Sequence, residues 1–156
     1  MDAKRIPFRD HFDLIGAFDV IEHIEDDEAV LDEARRALRP MGGILLTVPQ
    51  HRWLWSPVDV FAGHVRRYRR KELIAKLEAA GFEVLMATSF VTGLLPMMLL
   101  SRISKQARAT AEPELRAGAI QNLVGGTVAA LELACIRIGL RFPAGGSLLV
   151  AARRKA

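Results

Sequence analysis

The stretch Phe12-Asp13-Leu14-Ile15-Gly16-Ala17-Phe18-Asp19-Val20-Ile21-Glu22-His23-Ile24 decides the fold. Its first half is an apolar run of Leu14, Ile15, Ala17, Phe18, Val20 and Ile21. The run is too short for a typical helix and rich in β-branched and aromatic residues. It predicts a strand buried on both faces, as in a parallel sheet. Polarity then changes abruptly through Glu22-His23-Ile24-Glu25-Asp26-Asp27-Glu28. Acidic residues at a helix start complement the positive end of its dipole. Strand, acidic turn and helix make a βα unit, and open α/β sheets bind ligands beyond the carboxyl ends of their strands. Asp19, Glu22 and His23 stand at that end.

Working outward, Glu25 or Asp26 opens a helix reaching about Leu38, with Val30, Leu31, Ala34 and Leu38 as its inner face. Pro40 and Gly42-Gly43 stop it. Ile44-Leu45-Leu46-Thr47-Val48 reads as a second buried strand, and the short connections predict parallel pairing with a right-handed crossover. Gln50 to Arg70 has no clear period. A loop that long in a compact domain is usually functional, and this one holds His51, Trp53, Trp55, Asp59, His64, Arg66, Arg67 and Tyr68. Lys71 to Ala80 is an amphipathic helix closed by Gly81, and Phe82 to Ala87 is a third strand. Ser89 to Phe142 reads as two or three helices broken by Pro96 and by the polar run Ser104 to Arg116. Leu123, Val128, Leu131, Cys135 and Ile138 keep helical spacing there, which places Cys135 in the core. Leu148 to Ala152 is the last strand, before the basic tail Arg153-Arg154-Lys155.

A chain of 156 residues at 51% hydrophobic content makes one globular domain, residues 1–156, with a helical insertion at about 90–142. The single cysteine forbids an internal disulfide and makes a reducing cytoplasm the default. Residues 1–11 show no apolar core of a signal peptide. Phe90 to Leu100 is too short to span a bilayer, which takes ~20 residues. Ala119 to Phe142 carries Gln121, Asn122, Glu132, Arg137 and Arg141, so neither stretch reads as transmembrane. The run Arg66-Arg67-Tyr68-Arg69-Arg70-Lys71 reads first as a solvated helix start and next as a substrate-anion site, not as a nucleic-acid surface. Asp19-x-x-Glu22-His23 has donor atoms for a divalent ion. The expectation is nonetheless no metal, because an acidic helix start with a partly buried histidine accounts for the same pattern.

Three segments together carry a resemblance: Phe12-Asp13-Leu14-Ile15 through Glu22-His23-Ile24; Leu38-Arg39-Pro40-Met41-Gly42-Gly43 through Pro49; and Leu77-Glu78-Ala79-Ala80-Gly81-Phe82-Glu83-Val84. In order and spacing they resemble the C-terminal half of a class I S-adenosylmethionine-dependent methyltransferase. The resemblance covers about residues 1–88 and 145–153. It implies α/β architecture: part of a Rossmann-like, doubly wound sheet whose last strand is antiparallel, with a helical insertion before that strand. It implies S-adenosyl-L-methionine as cofactor and a small-molecule or lipid-linked acceptor. It places Asp2 and Ala3 near adenine, and Phe18 and Asp19 near the methionine part. The loop Gln50 to Tyr68 would cover the acceptor, with His64 and His51 as catalytic bases and Trp55, Arg67 and Tyr68 as substrate contacts. The family's Gly-rich first turn and its ribose-binding acid are not in the sequence. The expectation is therefore a truncated site that is inactive alone, the alternative being a non-catalytic module that binds a partner or touches a membrane surface. A strand at Leu14–Val20 without its neighbour leaves an open edge, which predicts a homo-oligomer.

Overall fold

The computed structural model describes residues 2–103 and 119–156. Strand β1 (Phe12–Phe18) leads through a 3-10 turn at Ile21–His23 to helix α1 (Asp27–Ala37). Asp26 caps that helix by accepting from the Ala29 N–H at 3.2 Å. Val30, Leu31, Ala34 and Ala37 are buried along one face of α1. Strand β2 (Leu38–Pro49) follows directly. The helix thus ends three residues before Pro40. Pro40 and Gly42-Gly43 are not its stop but lie inside β2, because Leu38 already takes an extended conformation. The parallel βα unit stands as expected, with Ile15 opposite Ile44 and Ala17 opposite Leu46.

The segment 50–70 holds more structure than its sequence suggests. A 3-10 turn at Arg52–Leu54 leads into a short helix, α2 (Pro57–Ala62), and Gln50 forms a parallel bridge to Tyr68. Helix α3 (Arg70–Ala79) buries Leu73 and Leu77, and Gly81, with φ +83°, turns the chain into β3 (Phe82–Phe90). Helices α4 (Leu95–Ile103) and α5 (Ala119–Arg137) come before β4 (Ser147–Arg154). Pro96 starts α4 rather than breaking a helix, since the first turn has no need of that N–H. The polar run Ser104 to Arg116 and the Leu123 side chain lie outside the described residues.

The sheet order is β1-β2-β4-β3; β4 runs antiparallel to both neighbours and β3 forms the edge. Alternate residues Ile44, Leu46 and Val48 of β2 and Leu148, Val150 and Ala152 of β4 join α1 and α3 in one apolar core, with Tyr68 and Phe82. Both helices therefore cover the same face. Strand β1 corrects the expectation of burial on both faces: Ile15 and Ala17 pack inward, but Leu14 is 64% and Phe18 56% exposed. It also ends at Phe18 instead of continuing to Val20 or Ile21, because Asp19 turns the chain with φ +51°. In α5 the expected inner face is largely open: Cys135 is half-buried, Leu131 is exposed, and Ile138, past the helix end, is exposed too. Among the described residues no helix is long and apolar enough to cross a membrane.

Candidate functional site

The carboxyl ends of β1 and β2 each finish in a left-handed residue that is not glycine, Asp19 at φ +51° and His51 at φ +63°. Such conformations cost of order 1–3 kcal/mol and cluster at functional sites. The Asp19 N–H is fixed by Thr47, donating to its carbonyl at 3.0 Å and its hydroxyl at 3.1 Å, which joins the two strand ends. The Phe18 ring and the Asp19 side chain stay open to solvent beside them. Asp2 and Ala3 sit in the N-terminal turn; Asp2 accepts from the Lys4 N–H at 2.9 Å, and Ala3 packs against the core.

Asp59 organises the loop. Ser56 caps α2 by accepting from the Val58 N–H at 3.2 Å, and its own N–H donates to Asp59 Oδ2 at 2.8 Å. Arg67 donates from Nε to Asp59 Oδ1 at 2.7 Å and from Nη2 to Oδ2 at 3.0 Å. His64 Nδ1 reaches the same Oδ1 at 2.9 Å. Burial pushes the Asp59 carboxyl pKa up, but the Arg67 and His64 hydrogen bonds outweigh it and hold the group below the usual range. Asp59 is thus a carboxylate, and the His64 Nδ1–H is the donor.

That fixed tautomer turns His64 Nε2 toward Glu22, with 4.0 Å to Oε1. His23 Nε2 stands 4.0 Å from the same oxygen, and its Nδ1 is 3.2 Å from the Gly63 carbonyl, which can only accept. The two imidazoles meet edge to face at 4.8 Å. Glu22 is fully buried, and among the described residues neither carboxylate oxygen has a hydrogen-bond partner. Burial pushes its pKa above the ordinary carboxylate range, and the charge of Asp19 adds to this. The sequence placed Glu22 and His23 at a strand end but gave no sign that His64, forty residues on, closes over them.

The expected substrate contacts separate. Trp55 is exposed. Arg67 is buried and engaged by Asp59 and the Gln50 carbonyl, so its guanidinium braces the loop. Tyr68 lies in the core and donates to Asp27 Oδ2 at 2.6 Å. Its hydroxyl pKa is driven upward by burial and by Asp27. Two more members of the basic run are used internally: Arg66 pairs with Asp27 at 3.0 Å, and Arg70 donates to the Ser89 hydroxyl at 3.2 Å, whereas Arg69 and Lys71 are exposed at the start of α3. His51 differs from His64. Its Nε2 is buried without a partner, its ring stacks on Trp53, and burial with the charges of Arg67 and Arg70 pushes its pKa down.

An open α/β sheet with strained residues and titratable groups at its carboxyl edge defines a ligand-binding protein of the nucleotide-sheet class. The chain belongs to the methyltransferase domain family, whose sequence profile matches residues 2–87. The cofactor of this family is S-adenosylmethionine, and the fold is that of its class I members. A protein of Mycolicibacterium smegmatis named "Probable S-adenosylmethionine-dependent methyltransferase" is 39% identical over 75 residues, which cover 46% of this chain and 29% of that protein. The fold is similar to that of the [4+2]-cyclase SpnF, at TM-score 0.57 and 22% identity over 100% of this chain and 54% of that one. It is also similar to Haemonchus contortus phosphoethanolamine N-methyltransferase 2 in complex with S-adenosyl-L-methionine, at TM-score 0.56 and 17% identity, over 99% of this chain and 36% of that one. The matched part of the chain thus covers between 29% and 54% of the length of these three proteins.

Proposed function

We propose that this chain is the acceptor-side half of an S-adenosylmethionine-dependent methyltransferase acting on a small-molecule or lipid-linked acceptor. The observation that carries the reading is that the family match spans both strand ends and the whole loop that closes over them. Phe18 and Asp19, at the open carboxyl end of β1, would hold the methionine part of the cofactor, and Asp2 and Ala3 the adenine. When bound, the cofactor supplies an activated methyl group on a positively charged sulfur. In this reading His51 is the base: burial and two guanidinium charges keep it neutral, and an acceptor must open the loop around the buried Nε2 to reach it. Trp55 offers an exposed aromatic face for stacking, and Asp59 with Arg67 keeps the loop rigid. The cyclase neighbour is a reminder that fold alone does not give reaction. Exposed Met97, Leu100 and Leu131 on α4 and α5 favour the other reading, an interaction module that meets a partner or a membrane surface.

The test is release of S-adenosylhomocysteine by the complete gene product, offered hydroxyl and amine acceptors, free and lipid-linked. The expected result is release that His51→Gln lowers at least tenfold, with loss of the acid limb of the pH profile below pH ~6.5. No release with any acceptor overturns the reading. The 156-residue chain alone should bind S-adenosylmethionine weakly, as its sequence has no Gly-rich cofactor turn. Micromolar affinity in isothermal titration would refute that part.

A further inference from the structure

We propose that Glu22, His23 and His64 bind a first-row divalent metal ion of the zinc type. The ligand atoms offered by these three side chains all lie within 4.8 Å of one another, and Glu22 Oε1 is 4.0 Å from each histidine Nε2. The hydrogen bonds behind them decide the chemistry. The Gly63 carbonyl takes the proton on His23 Nδ1, and the Asp59 carboxylate takes the proton on His64 Nδ1. In neutral rings both Nε2 atoms then present lone pairs to the same carboxylate. Three acceptors converge with no donor between them. The carboxylate is fully buried, and among the described residues neither of its oxygens has a hydrogen-bond partner. A cation supplies what is missing.

The surroundings are those of a metal site. Ligating histidines characteristically give their other ring N–H to a carboxylate or a backbone carbonyl, which fixes the tautomer. Here one does each. Two imidazoles and one carboxylate suit zinc, cobalt, nickel or iron rather than magnesium or calcium, which prefer all-oxygen shells. Ligands 2.0–2.2 Å from a tetrahedral ion stand about 3.4 Å apart, so the 4.0 Å separations close by roughly half an ångström. Three protein ligands leave a fourth position open. His23 is exposed, which gives an entry path. Asp19, the other acid at this strand end, is not part of the cluster. The sequence offered Glu22 and His23 as donors together with Asp19, but not the third ligand, His64, which comes from the loop.

What the ion would do rests on the methyl-transfer reading: Glu22, His23 and His64 would hold it, and it would make an acceptor hydroxyl or amine at the open position more acidic. Binding itself does not depend on that reading, so it is measured separately. The metal-stripped 156-residue chain is titrated with Zn²⁺ by equilibrium dialysis, and with Co²⁺ by visible absorption. The expected result is one equivalent per chain at micromolar or tighter affinity, with cobalt bands of a four- or five-coordinate site. Glu22→Gln, His23→Gln and His64→Gln should each weaken binding at least 30-fold, and Asp59→Asn about 10-fold. Far-UV circular dichroism checks that each variant folds; Glu22→Gln removes only an unpaired buried charge, so it keeps the test valid if a histidine variant fails. Absence of stoichiometric binding overturns the proposal. So does binding that survives Glu22→Gln, which would mark metal held adventitiously elsewhere on the chain. Stoichiometric binding by a gene product that never releases S-adenosylhomocysteine upholds the site and sinks the enzymatic reading alone.

Discussion

At Asp59 one buried carboxylate accepts from Arg67, His64 and the Ser56 N–H. Removing it strands the buried Arg67 guanidinium, and an unpaired charge in the interior costs about 3–5 kcal/mol. Asp59→Asn should therefore lose roughly 3 kcal/mol in urea unfolding at pH 7. The pH dependence follows from the direction of the shift. The folded pKa of Asp59 lies below its unfolded value of 3.8, so its contribution is fully present above that pH. It fades as pH falls through the folded pKa. The wild-type chain should lose this stability in strong acid, and Asp59→Asn should show a flatter acid limb. Equal pH dependence in the two proteins would count against the ionised Asp59 described here. The neighbouring Asp27 plays the same part for the core: burial raises its pKa, but the hydrogen bonds from Lys76 and Tyr68 outweigh that, and Arg66 adds a second positive charge. These two acids, more than the exposed ones, convert the basic run into internal bracing.

Among the elements, α2 is the one the sequence hid in plain view. Ser56-Pro57-Val58-Asp59 is a helix start: a serine cap, a proline at the first helical position and an acid three residues after the cap. Only six residues follow, and Val60 and Phe61 are exposed, so no apolar period announces the helix. Ser56→Ala should cost about 1 kcal/mol, read as a lower urea midpoint. It should also raise backbone exchange at Val58 and Asp59 while the sheet amides stay protected; uniform loss of protection would mean that α2 is not a local unit. The larger elements were legible because each rests on a period or a stop. Val30, Leu31 and Ala34 gave α1, Ile44 to Val48 gave β2, and Gly81 gave the turn into β3. What sequence could not give was side-chain fate. Arg67 and Tyr68 look like recognition residues in a list, yet both are buried, because the bridge between Gln50 and Tyr68 draws the end of the loop into the sheet. Glu22 and His23 were legible as donor residues, but the arrival of His64 beside them was not, since a separation of about forty residues leaves no local pattern.

For the whole molecule, the decisive feature is that burial is one-sided. Helices α1 and α3 cover a single face, while Leu14, Phe18 and Leu85 stand exposed in the strands. Strand β1 also has a free edge, since among the described residues it pairs only with β2. An edge that is both unpaired and apolar is a template for another chain, and natural edges usually avoid it with charge, proline or a bulge. Asp13 supplies some charge, paired with Arg39 at 2.7 Å, and the register shifts between Phe12 and Leu14, so the regular, unprotected stretch of this edge is Leu14 to Phe18. We therefore expect a second copy of this chain to meet the β1 edge in solution. Light scattering at tens of micromolar should give a dimer or larger species that dissociates on dilution. Leu14→Lys places a charge on the exposed face of β1 without touching the core, so it should shift the population to monomer while the thermal midpoint changes little. A wild-type chain that is monomeric at every concentration would show that one bare face and one open edge are tolerable at this size. An assembly unchanged by Leu14→Lys would move the contact to the exposed side chains of α4 and α5.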